Sequence, residues 1–130
     1  MRVLVSGSRD RNDKDLVAAK LDEICDEFGL WSDPDEYGNR LPSNITVISG
    51  GARGIDSCAA DWCAVNWVEL DEYRADWDTL GYAAGSIRNQ RMLDEGKPDL
   101  VLAFPGPKSR GTWDMVRRAR DANVPVRIYR

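Results

Sequence analysis

The 130-residue chain fits one domain, and a domain of this size buries enough surface to fold without disulfides or metals. It has no histidine, which excludes a Ser-His-Asp triad, a Cys-His dyad and any histidine-containing zinc site, so catalysis would rest on carboxylates, Arg, Lys, Tyr, hydroxyls or backbone dipoles. The net charge of −4 disfavours long nucleic acid, yet residues 108–130 carry seven basic against two acidic side chains, a local excess that suits a small anion as well as a solvated helix face.

In chain order, Arg2–Ser6 is a strand-like run; its apolar stretch is too short and its glycine too early for a signal peptide, and a cytosolic location is expected. Asp15–Phe28 reads as a helix with Val17, Leu21, Ile24 and Phe28 on one face, opened by Asn12 or Asp13 and closed by Gly29. Leu30–Ser43, with Pro34, Gly38 and Pro42, is a long loop expected at the end of the sheet opposite the ligand loops, as an insertion or a subunit contact. Ile45–Ser49 is the second strand, and Ile55–Val65 the second helix, striped by Ile55, Cys58, Ala59 and Trp62. Trp67–Leu70 is the third strand, Ser86–Glu95 the third helix, Leu100–Phe104 the fourth strand, Thr112–Ala122 the fourth helix and Val124–Tyr129 the fifth strand. Cys25, Cys58 and Cys63 form no Cys-x-x-Cys pair and read as reduced core residues; Trp62, Trp67 and Trp113 are assigned to packing. No apolar run approaches the ~18 residues of a membrane span.

Strands alternating with helices predict an α/β chain, residues 1–130 forming one Rossmann-like open parallel sheet of about five strands in the order 3-2-1-4-5, with helices on both faces. In that order the topological switch point lies between the C-terminal ends of strands 1 and 4, where such sheets bind ligands.

Three strands run into loops rich in Gly and Arg, each followed by a helix start. They are Ser6-Gly7-Ser8-Arg9, then Ser49-Gly50-Gly51-Ala52-Arg53-Gly54-Ile55-Asp56, then Pro105-Gly106-Pro107-Lys108-Ser109-Arg110-Gly111-Thr112. Glycine lets backbone approach a ligand, and a helix N-terminus offers unpaired N–H groups, so each loop is a candidate phosphate site. None matches the Walker or G-x-G-x-x-G patterns. Arg88 and Asn89, near the start of the third helix, are candidates for clamping a phosphate or ribose and for reading a base or hydroxyl; Arg88 has local carboxylates, Asp76 and Asp78, as alternative partners. Trp77 and Tyr82 suit either base stacking or the core. Asp56 favours the helix dipole, accepts a ribose hydroxyl or orients Arg53.

At these loops the sequence resembles the SLOG superfamily of Rossmann-like nucleotide-binding proteins, specifically the small YspA-like branch found in bacteria and phages. The resemblance rests on Gly7-Ser8-Arg9, on Gly50 to Asp56, on Ala75-Asp76-Trp77, on Ala84-Gly85 with Arg88-Asn89 and Met92, and on Phe104-Pro105-Gly106 with Arg110-Gly111-Thr112. The second segment is also similar to the corresponding loop of DprA, a single-strand DNA-binding member of the superfamily. Its LOG-type members hydrolyse the N-glycosidic bond of nucleoside 5′-monophosphates through a Pro-Gly-Gly-x-Gly-Thr-x-x-Glu motif with a helical Arg upstream. Here Arg88 matches the Arg and Gly111-Thr112 the Gly-Thr, but Met115 holds the glutamate position, Asp114 is its neighbour, and the Pro-Gly-Gly is altered. Loss of a positioned acid or base typically costs about 10²–10⁴-fold.

The resemblance therefore implies a module that binds or senses a nucleotide or nucleotide-derived ligand, taken up as ligand and not as cofactor, with no metal. The ligand-binding set is Gly7, Ser8, Arg9, Gly50, Gly51, Ala52, Arg53, Gly54, Asp56, Arg88, Asn89, Pro105, Gly106, Arg110, Gly111 and Thr112. The alternative is a phosphoribohydrolase using Arg88 with Asp114 or Asp56, or a residue from a partner subunit; a weaker one is a single-strand nucleic-acid binder of the DprA kind. Pairing among LOG-type relatives, with apolar helix residues such as Trp62, Trp113 and Val116 in apparent surplus, implies a homo-oligomer.

Overall fold

A computed structural model describes residues 1–130. Its elements are β1 (Arg2–Gly7), α1 (Lys14–Phe28), β2 (Thr46–Ser49), α2 (Ile55–Asn66), β3 (Glu69–Glu72), α3 (Trp77–Leu80) with a 3₁₀ turn at Gly81–Ala83, α4 (Ala84–Asp94), β4 (Leu100–Phe104), α5 (Arg110–Asp121) and β5 (Val126–Ile128). Successive side chains of a strand point to opposite faces, and β1 uses both. Val3 and Val5 join the larger apolar cluster with Val17, Leu21 and Ile24 of α1 and Ile55, Ala59 and Trp62 of α2. Leu4 joins a smaller cluster with Met92 and Leu93 of α4 and Met115 and Ala119 of α5. Burying each such side chain stabilises by about 1.5–3 kcal/mol, so both faces of the sheet contribute to its cohesion.

All strand pairs are parallel, and the sheet order is β3-β2-β1-β4-β5, as the alternation of elements predicts. Central β1 pairs Val3 with Val47 on one side and with Leu100 on the other. Because α1 and α2 cover one face and α4 and α5 the other, the crossover reverses between β1 and β4. The loops after β1, β2 and β4 consequently emerge together at the C-terminal edge. Leu30–Ser43 joins the end of α1 to the start of β2 and so lies at the opposite end, where Trp31 bridges Pro42 and donates from Nε1 to Asp26 at 2.6 Å.

Several boundaries and burials differ from the sequence reading. Strand β3 starts two residues later than expected, because Trp67 takes a left-handed conformation (φ 59°) that closes α2, its N–H reaching the Cys63 carbonyl. Trp67 is 87% exposed and is not a packing residue; its aromatic side chain suggests a strand where the backbone instead needs a helix stop. Trp113 is also partly exposed, whereas Trp62 is buried and ties α2 to α1 by donating from Nε1 to Asp22 at 3.0 Å. Val116 is likewise buried within the chain, which removes Trp62 and Val116 from any apolar surplus. The cysteines are free and buried, and burial pushes the Cys63 thiol up to about 12 and Cys25 to about 11. No helix is long and apolar enough to cross a membrane.

Candidate functional site

Backbone geometry joins the first two Gly-rich loops before any ligand is considered. Gly54 sits at φ 76° at the head of α2, and a Cβ there would collide with the carbonyls of Ser8 and Arg9. With only hydrogen at that point, the Ile55 N–H reaches the Ser8 carbonyl at 3.2 Å. Ser8 in turn donates its N–H to Phe104, at the end of β4, at 3.0 Å. In the third loop Ser109 Oγ accepts the Gly106 N–H at 2.6 Å. That use of Ser109 leaves the first turn of α5 without a side-chain cap, and α2 has none either. Both helices thus direct N–H groups and a partial positive charge toward the same edge.

These loops and the first half of α4 surround a cleft of about 310 Å³. Arg9, Lys108 and Arg110 line it and make no ion pair; Arg53, also lining it, pairs with exposed Asp10 at 3.0 Å. Arg88 is fixed from behind, donating from Nη1 to the Gly50 carbonyl at 2.9 Å and from Nε to Asn89 Oδ1 at 3.1 Å. Neither Asp76 nor Asp78 pairs with it. Burial depresses the Arg88 pKa and the Asp56 charge raises it, though a guanidinium remains protonated.

Asp56 is the buried carboxylate of this cleft, 6% exposed, its Oδ2 accepting the Ala52 N–H at 3.1 Å, whereas Asp10, also on the lining, is exposed. Burial pushes its pKa up to about 6, against the Ala52 hydrogen bond and the Arg88 and Arg9 charges, which lower it; Glu72 adds to the rise. It makes no hydrogen bond to Arg53. Asn89, 2% exposed, spends its Nδ2 on the Gly111 carbonyl at 3.1 Å and on Asp114 at 3.0 Å, tying α4 to the first turn of α5.

Twelve of the sequence-derived positions line this cleft together: Gly7, Ser8, Arg9, Gly50, Ala52, Arg53, Asp56, Arg88, Asn89, Arg110, Gly111 and Thr112. Gly51, Gly54, Pro105 and Gly106 are in the loops but not on the cleft wall, Gly51 facing an adjoining depression. Asp114 does not line it. It accepts from Arg117 at 2.5 Å and from Arg118 at 2.8 Å, on the seam between α4 and α5. Burial pushes its pKa up, but hydrogen bonds from Arg118 and Asn89 and the Arg charges outweigh that and hold it below the ordinary carboxylate value. Met115, at the position of the glycosidase glutamate, is 0% exposed in the α5-side core, so its side chain faces Leu4, Ile48 and Met92 and not the cleft.

The structure adds Val5, Ser6, Asp10, Trp77, Gly85, Met92, Lys108 and Ser109 to the lining. Lys108 and Ser109 sat inside a loop already singled out, and Trp77 in a short motif; nothing in the sequence pattern marks Asp10. No three Cys, Asp or Glu side chains cluster in a way that could hold a metal ion.

An open parallel α/β sheet with a cationic cleft over the β1–β4 switch point defines a Rossmann-like protein. The chain belongs to the YspA, cpYpsA-related SLOG family, whose model matches residues 1–79, from β1 through Trp77 of α3. It is also 36% identical over 133 residues to the Gene 61 protein of Mycobacterium phage D29, an alignment spanning 96% of this chain and 93% of the relative. No solved structure matches it significantly.

Proposed function

We propose that the cleft binds a nucleotide or nucleotide-derived ligand by its phosphate and does not hydrolyse it efficiently. The observation that carries this reading is the convergence on one cleft of three unpaired cations, Arg9, Lys108 and Arg110, with two helix N-termini that have no side-chain cap. A phosphate needs such donors more than it needs a base or nucleophile. Arg88 lines the same cleft and makes no ion pair, which supports a role beside the phosphate or sugar, whereas Asn89 acts by holding Arg88 and Gly111 in place.

The test is calorimetric titration with nucleoside 5′-monophosphates alongside assay of base release. Wild-type protein should bind and release base no faster than buffer, and Arg110→Ala should lose a charge-assisted hydrogen bond and bind about 10- to 150-fold more weakly. Absence of binding to every phosphate compound tried would reject the reading.

One observation favours phosphoribohydrolase activity as a second reading. Asp56 is a buried cleft carboxyl whose pKa lies near 6, the condition under which a carboxylic acid donates a proton to a leaving base. In that case water would add to the anomeric carbon as the glycosidic bond breaks, the Asp56 proton passing to the base and the proton released by the water returning to the Asp56 carboxylate. Base release abolished in Asp56→Asn with binding retained would establish it.

A further inference from the structure

A second cleft of about 340 Å³ opens beside the first and shares Arg9, Gly50, Ala52, Arg53, Trp77 and Arg88 with it, so the two form one continuous trough. The second lobe adds Gly51, Arg74 and Ala75. Both lobes are cationic, but their cations differ in what already holds them. Lys108 and Arg110, which line only the first, and Arg9, which lines both, make no ion pair, whereas Arg53, which also lines both, pairs with Asp10 at 3.0 Å and Arg74, which lines only the second, pairs with Glu72 at 2.9 Å.

Trp77 lines both lobes and is 46% exposed, a large apolar surface that the core does not explain, since α3 and the turn after it bury no side chain. Its placement is nonetheless built. Asp76 caps α3 by accepting the Thr79 N–H at 3.2 Å, and the Arg9 guanidinium lies over the indole at 5.1 Å from the ring centre. Gly85 leaves room for the ring, because a Cβ there would lie 3.2 Å from its edge. A half-exposed indole fixed by a neighbouring cation and lining both lobes is a stacking platform at their junction.

Resting on the phosphate-binding reading above, we infer that the second lobe is a base subsite: the phosphate occupies the first lobe near Lys108 and Arg110, and a planar heteroaromatic base stacks on Trp77. The ligand class is then a base-bearing phosphate and not a sugar phosphate, and Trp77 is a specificity-determining residue. Guanidinium planes such as Arg9 and Arg74 also stack on a planar ring, while a second phosphate reaching Arg53 or Arg74 would have to compete with the carboxylates that already pair with them.

The experiment titrates wild type, Trp77→Ala, Trp77→Phe, Arg74→Ala and Arg110→Ala with AMP, GMP, CMP, UMP, ribose 5-phosphate and adenosine 3′,5′-bisphosphate. Trp77→Ala should weaken the best mononucleotide about 5- to 150-fold, and Trp77→Phe should recover most of that loss. Ribose 5-phosphate should bind more weakly than that mononucleotide and be indifferent to Trp77. Because α3 buries nothing, the melting temperature of Trp77→Ala should match wild type. Mononucleotide binding that is sensitive to Arg110 but unmoved by Trp77→Ala overturns this inference and leaves the phosphate reading standing. So does a bisphosphate that outbinds AMP through Arg74, which would make the lobe an anion subsite. If none of the compounds binds, both proposals fall.

Discussion

Two aspartates, one on the floor of the cleft and one on the seam between α4 and α5, show how differently one fold uses the same side chain. Asp114 is held by Arg117, Arg118 and Asn89, and these partners keep its pKa below the ordinary value. Asp56 accepts a single backbone hydrogen bond, lies deeper, and is pushed up to about 6. The first carboxylate is committed to stability, and the second remains unpaired where a ligand would meet it. A charged group left without a full set of partners inside a cleft is a stability cost that binding or proton transfer can use.

The largest way to break this contrast is to add a third carboxylate beneath the seam. Met115→Glu places it in apolar surroundings with Leu4, Ile48 and Met92, and should cost about 4 kcal/mol or more, read as loss of cooperative unfolding or a collapse of the denaturation midpoint. A fully stable Met115→Glu protein would show that this side chain can turn toward the cleft, and the glutamate pattern of the LOG enzymes would then be recoverable in this chain.

Next in size is the pH dependence of Asp56. A carboxyl whose folded pKa stands above its unfolded value binds a proton more tightly in the folded state, so stability declines as pH rises between about 4 and 6. Asp56→Asn should remove that decline and gain on wild type by up to roughly 3 kcal/mol across the interval. Parallel stability curves for the two proteins would mean that Asp56 is adequately paired.

The smallest effect has the opposite sign. Asp114→Asn should lose about 1–2 kcal/mol at pH 7, and the difference from wild type should shrink as pH falls below about 4, because the lowered folded pKa makes the carboxylate stabilising only where it is ionised. Denaturation midpoints at pH 7 and pH 3 suffice to see it. If both aspartates respond alike, the division between a structural and an available carboxylate fails.

Much of this was legible beforehand. Val, Ile and Leu runs alternating with helical stripes specify a parallel sheet, and handedness rules then place the three Gly-rich loops at one edge, where twelve chosen positions share a wall. Direction was less legible than position. A helical wheel registers that Asp114 and Met115 are adjacent, but only packing shows that one faces a neighbouring helix and the other the core. Strand β3, Glu69–Glu72, is a short edge strand rich in acids and carries no apolar period, so the reading slid toward Trp67 and Val68. Four-residue α3 is too short for any periodicity, which is why Trp77 was found in a motif and not on a helix.

The joint between Gly54 and the carbonyl of Ser8 has a further consequence for anyone wishing to transplant this site. Neither loop is a portable module: the second fits only because the first leaves it a gap one hydrogen wide, and the first is held in turn by Phe104 of a third element. A graft of residues 50–56 into another sheet would carry half of a mortise. The smallest transferable unit is the pair of loops with the end of β4, three segments contributed by strands that lie side by side in the sheet but far apart in the chain.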